Sequence, residues 1–531
     1  MRLDPALQPH GSKNQSARAQ RVPADAALDA ALISGSDARL ALDPASRMNA
    51  YGTQACPRPD EISLSSSTAS TISPRGYAAA RAAFARLEDA RGRERLAPVF
   101  ADLADELRGV IRHAFDLPDA EVVLSPSGTD GALQALFLAR GLLRRPVTSI
   151  VVAADESGNG VPAAACGRHF AAAASSGRAV AKGEPIAGLA CAAICVAARD
   201  AQGEARPLAA IDAEVAAAAE DAIRAGNGVV LHAMDHSKLG SAGPSLACLL
   251  EICALAPGAV QVVVDACQAR LSRARLAWYL DRGFLVLITG SKFFAGPPLS
   301  GALLIPDTLR AAVGRIADVP AGLADYSTRD DWPACFAPIC ERLPARANVG
   351  QALRWAAAVE DIRAYFAVPE LFRKVALAEF AAVAARHIAR FPELRLLPAP
   401  GASGGHREHD EFAARTIFPF TIMRDGRALT LGDARLLHQA LNMDAAALGF
   451  ADPVAATPCH IGQPVALADG TIGALRISAD ARLVSDDWGG AGDLVSTGRL
   501  TKRLDQIATL FEKLRFLLAN FDRLATPLTA A

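Results

Sequence analysis

Three short segments of this 531-residue chain put reactive residue types where secondary structure would aim them. In QVVVDACQARL an apolar run closes on Asp265, with Gln268 three residues later. A carboxylate at the carboxyl end of a buried strand lies where open α/β sheets bind ligands, and it needs a cationic partner. A protonated pyridine nitrogen is one such partner. In FLVLITGSKFFAGPPLSGALLIP, Lys292 follows a hydrophobic run and a Thr-Gly-Ser turn. An ammonium this close to a buried strand end is costly unless paired or chemically employed, and with a lowered pKa it can form a Schiff base. In SPSGTDG, Ser125 to Gly131, small residues lead into a helix whose free N–H groups would favour an anion such as phosphate. Ser, Thr, Asp and Gly also cap ordinary helices, so this segment alone leaves both readings open.

The elements that must position these residues follow from periodicity. Short β-rich runs fall at 121–124, 149–153, 189–196, 228–233, 260–265, 284–289 and 301–305, most of them separated by Ala/Leu-rich helical text. Seven strands of this kind, apolar on both faces, predict a mainly parallel α/β sheet. Helical text runs from 76 to 115, broken by the charges at 91–95, and again from 347 to 391, interrupted at Val368-Pro369. Strands at 416–423 and 472–477 and a helix at 500–524 predict a smaller α+β unit. The division expected is a mobile arm or weak helix at 1–45, a large domain at 46–345, a helical connection at 346–395 and a small domain at 396–531. The polar stretch beyond Tyr51, with Ser65 to Thr68, Ser70 and Thr71, reads as a solvated linker or a packed loop near a site.

Composition narrows the function classes. Lys and Arg total 55 against 56 Asp and Glu, so no global field draws the chain to nucleic acid or an anionic membrane. Neither a P-loop signature nor a G-x-G-x-x-G between strand and helix is present. The ten cysteines form no C-x-x-C pair, so zinc spacing is absent and buried free thiols are expected, with no metal. The first residues lack an apolar h-region, and the uncharged stretch 185–198 is too short to span a bilayer, which predicts a soluble protein of a reducing, cytoplasmic compartment.

In chain order, S-G-T-D, then strand-D-x-x-Q, then strand-T-G-S-K-x-x-x-G-P on an α/β pattern resembles the fold type I pyridoxal 5′-phosphate (PLP) enzymes. The likeness is to the class V aminotransferase and cysteine desulfurase superfamily, from about residue 50 onward. It implies a PLP-dependent transferase-like large domain with the seven-stranded sheet, a small C-terminal domain, and a homodimer with sites at the interface. By the same resemblance Lys292 would carry the cofactor and then the substrate proton, Asp265 would keep the pyridine nitrogen protonated, and Gln268 would bond the phenolic oxygen. Gly128 and Thr129 would bind the phosphate, joined by Thr289 and Ser291, which match the family's Ser and His positions before the lysine. Ser157 falls where many relatives place a ring-stacking His, so Asn159 or another group would cover the ring. In LHAMDHSKLGSAG, Ser237 is the expected phenolic-oxygen contact with His236 as its rival; in the Gln-Pro and Arg-x-Ser text near the C-terminus, Arg476 would clamp a substrate carboxylate. Some desulfurases carry a nucleophilic cysteine just before that Gln-Pro; here Ile461 stands there and Cys459 lies two residues earlier.

The function so implied is a PLP enzyme acting on a small amino acid or amine, first an aminotransferase of the class V type. Elimination at the β-carbon, as in cysteine desulfurases or other C–S lyases, is the alternative within enzymes. A PLP-fold binding or regulatory protein with weak catalysis is the alternative outside them.

Overall fold

The computed structural model describes residues 23–398, 410–490 and 495–528. Thirteen strands are found among them: β1 (Ile62–Leu64), β2 (Glu121–Ser125), β3 (Val147–Val152), β4 (Ala192–Val196), β5 (Gly228–Met234), β6 (Val260–Asp265), β7 (Leu285–Thr289), β8 (Gly301–Ile305), β9 (Leu394–Leu396), β10 (Ile417–Arg424), β11 (Arg427–Ala428), β12 (Cys459–Leu467) and β13 (Ile472–Ser478).

Seven of these form one sheet in the order β2-β8-β7-β6-β5-β3-β4. Strands β3 to β7 run parallel, and β8 lies antiparallel between β2 and β7. The α/β architecture with a seven-stranded, mainly parallel sheet is therefore present. Every residue of β3, β5, β7 and β8 is buried, as a sheet covered by helices on both faces requires. That is why these runs are mostly apolar on both faces rather than alternating, with Thr148, Ser149, His232 and Thr289 the polar exceptions. The predicted bounds of β6 and β8 coincide with the strands found, whereas β4 is shorter than its apolar run.

The second sheet has the order β1-β12-β13-β10-β11, with β9 on the far side of β10. Strand β1 pairs in parallel with β12, Ile62 opposite Cys459, and so stitches the early Ser/Thr-rich stretch to the C-terminal part of the chain. That long-range pairing has no local sequence signature. The helix expected at 500–524 divides into Val495–Ala519 and Phe521–Leu528.

The helical region 76–115 forms two helices, Pro74–Gly92 and Leu96–Phe115, which pack with Val349–Phe366. Although aromatic residues make up only 5% of the chain, they gather here: Phe293, Phe294, Phe115 and Tyr365 meet edge to face behind the lysine turn, with ring centroids 5.1 to 5.8 Å apart. Of the expected arm at 1–45, residues 1–22 lie outside the described residues. The rest carries a helix, Pro23–Leu32, whose Leu28 and Leu32 are buried in the main core. Among the described residues, no helix is long and apolar enough to cross a membrane.

Candidate active site

Parallel strands that end side by side deliver their next residues to one place. Asp265 ends β6, Thr289 ends the neighbouring β7, and Ser291 and Lys292 follow in the turn toward β8. This turn is fixed from behind. A Cβ at either Gly290 or Gly296 would stand 2.6 Å from the Cβ of Ala358, so the helix Val349–Phe366 can close on the turn only because both are glycine. From that helix, Trp355 donates to Gly301 O at 2.9 Å and Arg354 to Leu299 O at 2.7 Å. Leu299, held at a φ of 67°, is in the left-handed region that non-glycine residues avoid.

All ten residues singled out in the sequence, Gly128, Thr129, Ser157, Ser237, Asp265, Gln268, Thr289, Ser291, Lys292 and Arg476, line one cavity of about 620 Å³. His236 and Asn159 line it too, whereas Cys459 does not. No hydrogen bond or ion pair engages the Lys292 ammonium among the described residues, and burial holds it below the ordinary lysine range against the pull of Cys267 and Asp265. Asp265 accepts the Cys267 N–H at 3.0 Å through Oδ1. Thr289 donates to Cys267 O at 2.7 Å.

The phosphate-cup segment is the start of the helix Gly128–Leu143, capped by Ser127, whose hydroxyl accepts the Asp130 N–H at 3.2 Å. The N–H groups of Gly128 and Thr129 and the hydroxyls of Thr129 and Ser291 have no hydrogen-bond partner among the described residues. Gly128 has to be glycine, since a Cβ there would meet Cys267 Sγ at 2.5 Å. The result is a cluster of unspent donors at one end of the cavity.

Other predicted contacts differ from expectation in detail. Ser237 donates its one hydroxyl proton to Glu156 and accepts from Leu239 and Ser241 N–H at 3.2 and 2.9 Å, so it shapes its turn and has no proton left for a phenolic oxygen. Gln268 donates to Ser67 O and accepts from Arg270, keeping one amide N–H. Ser157 turns its hydroxyl back onto Ala154 O at 2.9 Å.

Arg476, on β13, is 1% exposed. Its guanidinium donates to Ser67 Oγ at 2.9 Å, to Thr68 Oγ1 and to Gln463 O, and no carboxylate pairs with it among the described residues. Burial pushes its pKa down to about 9, with Glu156 opposing the shift. At Gly462 any Cβ would fall 2.5 Å from Arg476 Cγ, so the neighbouring strand leaves this passage open. The Ser/Thr stretch is thus a packed loop: Ser65, Ser66, Ser67 and Ser70 are fully buried.

Sequence reasoning missed several residues of the wall. Glu156 and Arg199 form a buried ion pair at 2.6 Å beneath Ser237. Asp37 and Arg39 line the cavity from the expected arm, where no function was sought, and Tyr51 lines it from the start of the stretch read as a linker or a packed loop near a site. Lys238, one residue past Ser237, lines it as well; a lysine in the otherwise uncharged SKLGSAG turn was the available signal. Among the described residues, no cluster of three or more His, Cys, Asp or Glu side chains could hold a metal ion.

No family model matches the chain and no curated protein matches it. Among solved structures it is similar to the complex of the cystine C-S lyase C-DES with its reaction product cysteine persulfide, at 15% identity over 85% of this chain and 98% of that one, with a TM-score of 0.48. Mouse CSAD in apo form is similar at 15% identity over 84% and 83%, with a TM-score of 0.48. A provisionally assigned histidinol-phosphate aminotransferase from Erwinia carotovora atroseptica SCRI1043 is similar at 13% identity over 86% and 97%, with a TM-score of 0.44.

Proposed function

We propose that the protein is a PLP-dependent enzyme acting on a small amino acid or amine, with transamination of the class V type as its first activity, and that it works as a homodimer in the cytoplasm. The observation that carries this reading is the convergence, on one cavity, of an unpartnered lysine, a strand-end carboxylate and a donor-rich helix N-terminus. These residues fit the cofactor. Gly128, Thr129 and Ser291 would hold the phosphate with donors that nothing else uses; Asp265, with one oxygen bonded to the Cys267 N–H, would face the ring nitrogen with the other; Lys292 would hold the aldehyde carbon.

When bound, PLP supplies an aldehyde that captures amines and a protonated ring that withdraws electrons from the substrate α-carbon. The chain does the rest. Asp265 keeps the proton on the ring nitrogen, which sustains that withdrawal. Lys292 takes and returns the α-proton at Nζ, and its lowered pKa brings its base form nearer to neutral pH. Arg476, already oriented by Ser67, Thr68 and Gln463, offers a desolvated fork to the substrate carboxylate. The buried Ser65 to Ser67 loop excludes water from that side.

Purified protein should show an absorbance band near ~420 nm, the signature of a lysine-linked cofactor, and Lys292→Ala should remove it. A colourless protein that gains no band with added PLP overturns the reading. Single-turnover mixing with an amino-acid panel should yield pyridoxamine phosphate and a keto acid. Sulfide with pyruvate and ammonia would assign β-elimination instead, alanine with its sulfur passed to an added thiol as a persulfide would assign desulfuration, and an unperturbed spectrum with every amino acid would assign a binding module.

A further inference from the structure

The charges around the cavity do not balance once each is assigned its partner. Among the lining carboxylates, Asp37 is held by Arg39 at 2.6 to 3.0 Å. Glu156 is held by Arg199, and Asp155 accepts the Ala198 and Arg199 N–H groups at 2.8 and 3.1 Å. Asp265 remains, and the proposed function commits it to the ring nitrogen. Among the lining cations, Arg39 is spent on Asp37, Lys292 is committed to the cofactor, and Lys182 and Arg435 are exposed, where water solvates their charges. Two are left. Arg476 has hydroxyl and carbonyl partners but no carboxylate, and Lys238 has only Asn159 Oδ1, at 3.5 Å.

Two cations facing one cavity without an anion, Arg476 buried and Lys238 half-buried, repel each other, a cost that an anionic ligand offsets for each. The mutual effect is visible in Lys238. Burial first, then Lys292, Arg476 and Arg39 in turn, push its pKa down to about 7, and Asp265 only partly opposes them. A cavity built for a neutral amino acid would need Arg476 alone.

Resting on the PLP reading, we infer that the substrate carries two anionic groups: an α-carboxylate seated on Arg476 and a second acid group at the far end of its side chain, held by Lys238. The substrate class is an acidic amino acid, or the matching dianionic keto acid when the reaction runs in reverse. Lys238 is then a specificity residue on the cavity wall, placed by the turn that Ser237 and Glu156 hold.

The test is calorimetric titration of the full-length, cofactor-loaded protein with succinate, 3-phosphonopropionate and butyrate, probes that share a chain length and differ in the second acid group. At about pH 6, with Lys238 charged, at least one dianion should bind roughly tenfold more tightly than butyrate, the ratio expected of one charge-assisted contact. Which dianion is preferred tells a carboxylate from a phosphonate-type acid. Lys238→Gln should abolish the preference while leaving butyrate affinity and the ~420 nm band unchanged, and Lys238→Arg should retain it. The preference should also fade toward about pH 8 as Lys238 loses its proton. A preference that survives in Lys238→Gln overturns the inference, as does wild-type protein that does not discriminate. Loss of the cofactor band in Lys238→Gln overturns it too, because it would assign this lysine to the cofactor phosphate. A wild-type protein without the band fails the PLP reading instead, and the dianion preference is measured independently of it.

Discussion

The floor and the wall of the cavity are built in opposite ways. The floor, Asp265, Thr289, Ser291 and Lys292, comes from the ends of two adjacent strands of one parallel sheet, so each residue is placed by the backbone immediately before it. The wall joins residues far apart in the chain: Ser67 and Thr68 grip Arg476, and Arg199 pairs with Glu156. A floor of this kind fixes the chemistry through local geometry. The wall, which depends on tertiary contacts between the two sheets, sets what the chemistry is applied to. Damage to the floor should therefore abolish activity while sparing the fold, as expected for Lys292→Ala, and damage to the wall should reach stability or recognition first.

The largest wall effect is expected at Glu156. With side chains 1% and 3% exposed, Glu156 and Arg199 exclude water, and Glu156→Gln leaves a buried guanidinium without its counter-charge. Such a break costs about 3 to 5 kcal/mol, to be read as a lower denaturant midpoint with an unchanged slope. The variant, once folded, should still show the ~420 nm band, because no floor residue depends on this pair. Loss of the band at full stability would erase the distinction between the two regions. A smaller effect is expected at Ser67. Ser67→Ala removes one oriented partner of Arg476 Nε, worth about 1 kcal/mol, so affinity for a carboxylate should fall about fivefold with the cofactor band intact.

The same contrast explains what the sequence disclosed. Strands β6 and β8 were found at their predicted bounds because a buried parallel strand writes a continuous apolar run, and Asp265 and Lys292 were legible because they interrupt such runs. Strand β12 was hidden, because Gln463-Pro464 reads as a turn. In the structure the strand continues through it with a register shift between Gly462 and Val465, an irregularity that tolerates the missing N–H of Pro464. The Ser/Thr stretch was ambiguous for a related reason. Polar composition ordinarily signals solvent exposure, yet here Ser66 and Ser67 are buried and Thr68 is half-buried, bonded to Arg270, Arg476 and Ser478, partners that no local pattern announces. Ion pairs such as Glu156 with Arg199 were illegible because any of 56 acidic residues could have met any of 55 basic ones.

The smallest effect is expected at Cys459, the thiol that proximity to Gln463-Pro464 nominated as a nucleophile. It lies on β12, fully buried and outside the cavity lining, where its thiol donates to Thr457 O at 3.5 Å. Burial pushes its pKa up to about 11, despite the nearby ammonium of Lys513. That ammonium is itself occupied by the carbonyls of Leu441, Met443 and Thr457 at 2.7 to 3.0 Å. Near neutral pH, roughly one molecule in ten thousand would carry the thiolate that attack requires. Cys459→Ser keeps a donor for Thr457 O, so stability should change by no more than about 1 kcal/mol and turnover, including any sulfide release, should stay within about twofold. A large, selective loss of sulfide release in this variant would mean that β12 opens during the reaction and that the wall, rather than the floor, supplies a reacting group.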